Sequence, residues 1–118
     1  MQHAKQRGQF GRKLSQFQAI RHKLADMAVD IEVARWLTYQ SAIEYDRGKV
    51  DPGFLSITQL EVGRGLVRVV DEAPQIFGGY GYMAEQAIEH CFSDAWAIRV
   101  DLGTKEELKD RMAERILG

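Results

Sequence analysis

The side chains best able to do chemistry in this sequence are few. His3, His22 and His90 are dispersed, and no second cysteine or close carboxylate cluster completes a metal site with them, so no metal centre is expected. Cys91 sits in an apolar stretch, and no histidine backed by a carboxylate shares its helix face, so it reads as a small buried hydrophobe rather than a nucleophile. Arg7 alone would be an ordinary surface charge at a helix end. The run Gly78-Gly79-Tyr80-Gly81 supplies the positive φ angles of a tight turn. Thr104, followed three residues later by Glu107, has the reciprocal pattern of a helix capping box and needs no ligand to explain it.

The elements that position these residues read as helical throughout. Apolar or small residues recur three or four apart at Phe17, Ile20, Leu24, Met27, Ile31, Ala34, Thr38, Ala42 and Tyr45, the stripe of one long amphipathic helix that Gly48 ends. Asp51 and Pro52 then open a second helix as N-cap and first helical residue. Gly63 and Gly65 in its interior each cost about 1 kcal/mol relative to alanine, which predicts either a close helix approach or a weakened helix. Pro74 should bend the chain away near its end, before a sharp reversal. A shorter helix is expected to hold Ile88, Cys91, Phe92 and Ala95 on one side, and a last one to bury Leu108, Met112 and Ile116. With no strand-like alternation, the expectation is an all-α, antiparallel up-and-down helix bundle. It would occupy 1–118 as a single unit, with helices near 14–47, 52–75, 84–96 and 105–117. Trp36, Tyr39 and Ile43 form a second apolar stripe on the first long helix, covered either within the bundle or by another subunit.

Composition narrows the partners. With 16 Lys and Arg against 17 Asp and Glu, there is no basic stripe for a nucleic acid or an anionic membrane, so neither partner is expected. The polar start MQHAKQRGQ is no signal peptide and no later stretch could span a bilayer. One cysteine allows no internal disulfide, and a reducing compartment fits, the cytoplasm or, in a eukaryote, the mitochondrial matrix.

Four strings fall in order: RGQFGRKL (7 to 14), FQAIRHKLADM (17 to 27), QIFGGYGY (75 to 82) and LGTKEE (102 to 107). Together they resemble successive landmarks of the acyl-CoA dehydrogenase C-terminal domain: RxxFG, QAI with LADM, VQIFGGxGY and a YEGT-type turn opening the last helix. The resemblance covers essentially the whole chain. It implies a helical bundle contributing to an FAD site, with flavin contacts at Arg7, Gln9, Phe10, Phe17, Gln18, Gln75, Gly78, Gly79, Thr104 and Glu106. In the family, the arginine matching Arg7 and the QIFGG turn approach the FAD of a neighbouring subunit. The turn before the last helix faces the flavin of its own subunit, so an oligomer is implied. The chemistry suits a dinucleotide. A guanidinium makes paired charge-assisted bonds to a diphosphate, glycines admit it close to backbone N–H groups, and a helix N-terminus offers free donors.

Some positions depart from the pattern. The glutamate of YEGT removes the α-proton of the acyl thioester in many members; here that position is Leu102, which accepts no proton. Asp101 is adjacent, but it matches the preceding tyrosine and suits a solvated or capping role better than that of a base. Trp96, Pro74 and Gln59 replace a basic residue, a valine and a lysine usual in the family. The opening turns of the domain, the N-terminal helical domain and the middle β-domain of the family lie outside this sequence, so the expected role is that of a C-terminal portion inactive by itself. In the full enzyme the implied reaction is α,β-dehydrogenation of an acyl-CoA, with an electron-transfer flavoprotein as acceptor. The alternative is a non-catalytic assembly module, or a partner subunit that completes the flavin site of another dehydrogenase chain. A dimer or higher oligomer is expected in either case.

Overall fold

The computed structural model describes residues 1–79 and 87–118. Its elements are a short helix α1 (Gln2–Gln6), a hairpin of β1 (Gly8–Gln9) and β2 (Arg12–Lys13), a single 3₁₀ turn (Leu14–Gln16), and the helices α2 (Gln18–Asp46), α3 (Pro52–Phe77), α4 (Ala87–Asp101) and α5 (Lys105–Leu117). The molecule is an elongated all-α body measuring 58 × 25 × 25 Å. α3 is its spine. α2 runs antiparallel along one side of α3, as Asp30 meets Arg68 and Ser41 meets Thr58. On the other side α4 and α5 follow one another: Arg99 and Leu102 lie against Gly63, and Arg115 lies against Gly53.

Local chemistry sets the helix ends. Oδ1 of Asp51 accepts from the N–H of Gly53 at 2.9 Å and of Phe54 at 3.1 Å, capping α3, while Arg115 Nε donates to Oδ2 at 2.8 Å and ties the last turn of α5 to the same carboxylate. At the start of α5 the capping box is complete. The Glu107 N–H donates to Thr104 Oγ1 at 3.2 Å, and the Thr104 N–H donates to Glu107 Oε2 at 3.2 Å. The two glycines inside α3 mark close approaches, because a Cβ on Gly65 would stand 3.3 Å from Asp30 Cβ and one on Gly63 would stand 3.0 Å from Arg99 Cδ.

Both capping carboxylates hold their protons less tightly than usual. The Phe54 N–H lowers Asp51, against a smaller opposing effect of burial and with help from the Arg115 charge. The Thr104 hydroxyl and N–H lower Glu107. A lowered folded-state pKa stabilises the fold above the ordinary carboxylate range, and that stability is lost as pH falls through the lowered values. Thermal melts followed by circular dichroism should therefore show wild type losing more stability below about pH 5 than Asp51→Asn or Thr104→Ala. Equal acid slopes in all three proteins would refute the assignment.

Several expectations are corrected. A small antiparallel hairpin precedes α2, pairing Gly8 with Lys13 and Gln9 with Arg12, where the sequence showed no alternation. With two residues per strand it is too short for a period-two pattern to register. Helix α2 begins at Gln18 rather than residue 14, because Leu14–Gln16 form the 3₁₀ turn and Phe17 is extended. α3 ends two residues later than expected. The helix runs past the expected residue 75 to Phe77 with Pro74 inside its last turn, and it stops at Gly78, whose φ is 64°.

α4 extends to Asp101, further than expected. It packs mainly on α3, and among the described residues its burial is concentrated at Ala95, so Cys91 and Phe92 are exposed rather than buried. The expected residues 84–86 and the side chain of Ile88 fall outside the described residues, as do Tyr80 and Gly81 of the glycine turn. On α5 Leu108 is buried and Met112 half-buried, but Ile116 is 69% exposed. The stripe on α2 holds only in its first half. Ile20, Leu24 and Met27 pack against the buried Ala4, Leu14 and Ile76, whereas Ile31, Thr38, Ala42 and Tyr45 are exposed because α2 has one long partner and meets it through a narrow seam.

Candidate functional site

The anticipated contact residues divide into two groups. The first gathers at the end of the molecule where α1, the hairpin, the start of α2 and the end of α3 meet. Ala4, Leu14 and Ile76 form their common core, and the His3 ring stacks on Phe77 at 4.3 Å, fastening α1 to the last turn of α3. His3 Nε2 is buried there with no hydrogen-bond partner among the described residues. Arg7 lies between α1 and β1 with its backbone held at both atoms: its N–H donates to His3 O at 2.9 Å, and its carbonyl accepts from the Leu14 N–H at 2.9 Å.

The hairpin tip is unusual. Its two loop residues both have positive φ, Phe10 at 53° and Gly11 at 76°, the combination that two-residue hairpins of type I′ require. For glycine this is easy; for phenylalanine it costs on the order of 1–3 kcal/mol. The Phe10 side chain is also 93% exposed, so the strain is not offset by burial within this chain. Gln9 is exposed on the same hairpin, Phe17 is half-buried, and Gln18 is exposed at the first residue of α2. At the other half of this end, Gln75 is exposed and Gly78 and Gly79 face open space, with nothing within 4 Å of where a Cβ would stand. Backbone donors and acceptors at both glycines can thus be approached closely by a ligand.

The second group, Thr104 and Glu106, lies at the junction of α4 and α5. This junction meets α3 near Gly63, thirteen residues before Ile76 and hence about 20 Å along the helix from the first group. The two groups thus stand at different points along α3. Around the junction is a groove of about 600 Å³, lined on α3 by Gly63 and Arg64 and on α4 and α5 by Trp96, Arg99, Lys105 and Lys109. Leu102 turns toward α3, with Cδ1 3.3 Å from the Cβ position of Gly63, and Asp101 is exposed at the last residue of α4. Among the described residues, no group of three or more His, Cys, Asp or Glu side chains is placed to hold a metal ion.

Sequence reasoning missed the cationic lining of the groove and the His3–Phe77 stack. The signal for the first was the lysine pair Lys105 and Lys109, one turn apart on a helix already assigned; the second depends on which residues the tertiary fold brings together.

The stripe of Trp36, Tyr39 and Ile43 is not covered within the chain: Trp36 is 71% and Tyr39 60% exposed. Beside it Ala28, Val29, Val33, Trp36 and Leu37 line an almost wholly apolar hollow. No helix of the described residues is long and apolar enough to cross a membrane.

Comparison with known proteins gives one family. Residues 1–117 match the model described as "Acyl-CoA dehydrogenase, C-terminal domain". The chain is 41% identical over 106 residues to the short-chain specific acyl-CoA dehydrogenase of Megasphaera elsdenii, an alignment covering 90% of this chain and 28% of that protein. It superposes on the butyryl-CoA dehydrogenase structure from Megasphaera elsdenii with a TM-score of 0.93 at 38% identity, covering 99% of this chain and 30% of that one. A structure of PigA with FAD and proline matches with a TM-score of 0.91 at 25% identity, over 98% of this chain and 30% of that one. The chain thus spans about three tenths of the length of the proteins it matches.

Proposed function

The chain belongs to the acyl-CoA dehydrogenase family, as its C-terminal helical domain, and from that premise we propose that it supplies one portion of two FAD sites in an oligomer that dehydrogenates acyl-CoA thioesters. The observation that carries this reading is the separation of the contact residues. Arg7, Gln9, Phe10, Gln75, Gly78 and Gly79 stand at one end, and Thr104 and Glu106 stand about 20 Å away along α3. Two groups set that far apart fit two flavins, as the family arrangement implies, one belonging to a neighbouring subunit.

The residues at the first end fit a dinucleotide. The strained tip of the hairpin presents Phe10 outward, a conformation whose cost is recovered if the ring packs on a ligand. Arg7 is placed by two backbone hydrogen bonds and can hold a diphosphate with a paired fork. Gly78 and Gly79 leave their backbone open to it, and Gln75, Gln9, Phe17 and Gln18 line the approach. Thr104 and Glu106 serve the flavin of their own subunit. When bound, FAD accepts the hydride from the β-carbon of the acyl chain. The position that carries the base for the α-proton in many family members is Leu102 here, which packs toward Gly63 and cannot take a proton. In the catalytic reading another carboxylate of the assembly takes that proton, and an electron-transfer flavoprotein is the fitting acceptor. A soluble cytoplasmic location suits the whole.

The exposed stripe of Trp36, Tyr39 and Ile43 supports the oligomer, since a patch of that kind is costly to leave in water. A second reading is favoured by Leu102: the chain is a non-catalytic subunit that lends Arg7 and the QIFGG turn to another dehydrogenase chain. Titrating the purified chain with FAD, alone and mixed with a full-length acyl-CoA dehydrogenase subunit, and following flavin fluorescence, tests both. Binding only in the mixture is the expected result. Absence of binding in either sample would remove flavin from the function of this chain.

A further inference from the structure

We infer that His3 is a positioning residue for the first contact group, holding Arg7 and the Gly78-Gly79 turn at one spacing, an inference that rests on the flavin reading of that end. Its backbone and its ring reach different segments. The His3 carbonyl accepts the Arg7 N–H at 2.9 Å, closing the turn of α1 after which Arg7 leaves the helix with extended backbone. The His3 ring stacks on Phe77, with centroids 4.3 Å apart and planes 15° from parallel. Phe77 is the last residue of α3, and Gly78 caps that helix, its N–H donating to the Pro74 carbonyl. His3 thus stands between the arginine that opens the hairpin and the glycines beyond α3.

α1 by itself cannot set that spacing. It has 5 residues, far below the about 12–15 at which an isolated helix is marginal in water. It keeps its shape and place through what it touches. Ala4, 1% exposed, packs with Leu14 and Ile76, but a single methyl group fixes where α1 lies and not how it is turned. The ring stack, one residue away, supplies the second point of attachment. Nε2 of His3 is buried with no hydrogen-bond partner among the described residues, so the ring is held by its flat face and not by a bond at that atom.

A ligand held by two segments gains only the affinity left after the cost of ordering them. With the stack in place, Arg7 and the glycine turn meet the ligand as one body. Without the ring, the ligand itself must bring α1 and the end of α3 together, and its binding weakens although every atom that touches it is still present.

Two measurements test this role: FAD capture in the mixture with a full-length acyl-CoA dehydrogenase subunit, and amide hydrogen exchange of the chain alone. His3→Ala should weaken capture about three- to tenfold, the worth of an aromatic pair, while His3→Phe, which keeps a stacking ring, should capture flavin as wild type does. In an Arg7→Ala background the loss from His3→Ala should shrink to less than about twofold, whereas a residue that only sustains the fold gives the same factor in both backgrounds. In the chain alone, His3→Ala should speed exchange at the amides of both Arg7 and Gly78, although the backbone acceptors of both are retained. Circular dichroism checks folding; where His3→Ala is unfolded, His3→Leu fills the site without a flat ring and takes its place. Capture by His3→Ala equal to wild type, equal factors in the two backgrounds, failure of His3→Phe to restore capture, or faster exchange at Arg7 without Gly78 overturns the inference. No capture by wild type itself would bring down the flavin reading and this role together, whereas wild-type capture that His3→Ala leaves intact brings down this role alone.

Discussion

Leu108→Ala should remove a large part of the stability of this fold, about 2–5 kcal/mol, while Ile116→Ala on the same helix should change it by no more than about 0.5 kcal/mol. Helix α5 has 13 residues, near the length at which an isolated helix is marginal in water. It persists because it is fastened to α3, and its fastenings are few: Leu108 is 1% exposed, Met112 is half-buried, and Arg115 bonds Asp51 at the far end. Emptying the Leu108 site leaves a cavity against α3 that a short helix with one partner can close only by shifting. A typical domain holds 5–15 kcal/mol in all, so the loss is a substantial fraction. Urea unfolding measures it, and hydrogen exchange should show the α5 amides opening first. A Leu108→Ala midpoint equal to that of Ile116→Ala would mean that α5 is held by its caps and ion pair instead.

That comparison also marks where sequence reasoning stopped. Caps placed the starts of α3 and α5, because Asp51, Pro52, Thr104 and Glu107 act locally and mean the same thing in any fold. They did not tell Leu108 from Ile116, which share a helical stripe but differ in what lies opposite them. The same holds for Ile31 and Tyr45 on α2, which are exposed although α3 runs alongside that helix. The seam between α2 and α3 is partly polar, through Asp30 with Arg68, Ser41 with Thr58 and Lys23 with Glu72, so a purely apolar pattern misjudged it. The positions named for flavin were named through their motifs. Their division into two groups came with the resemblance, but nothing local in Gln75 or Thr104 records the distance between them along α3.

Flavin capture in the mixture should fall about 10- to 100-fold when Arg7 is replaced by alanine, with Arg7→Lys in between, because a hydrogen bond to a charged group is worth about 1.5–3 kcal/mol and every 1.4 kcal/mol is a factor of ten. Arg7 is well placed to make that difference. Its backbone is fixed to His3 and Leu14, and alanine retains both of those hydrogen bonds, so the hairpin behind Phe10 keeps its path. Lysine restores the charge but not the planar fork that meets two phosphate oxygens at once, so the gap between the two variants measures the geometric part of the interaction. Circular dichroism of both variants checks that the helices are intact. If Arg7→Ala captures flavin as well as wild type does, the hairpin end is not the flavin contact. The exposed, strained Phe10 must then be explained by another partner.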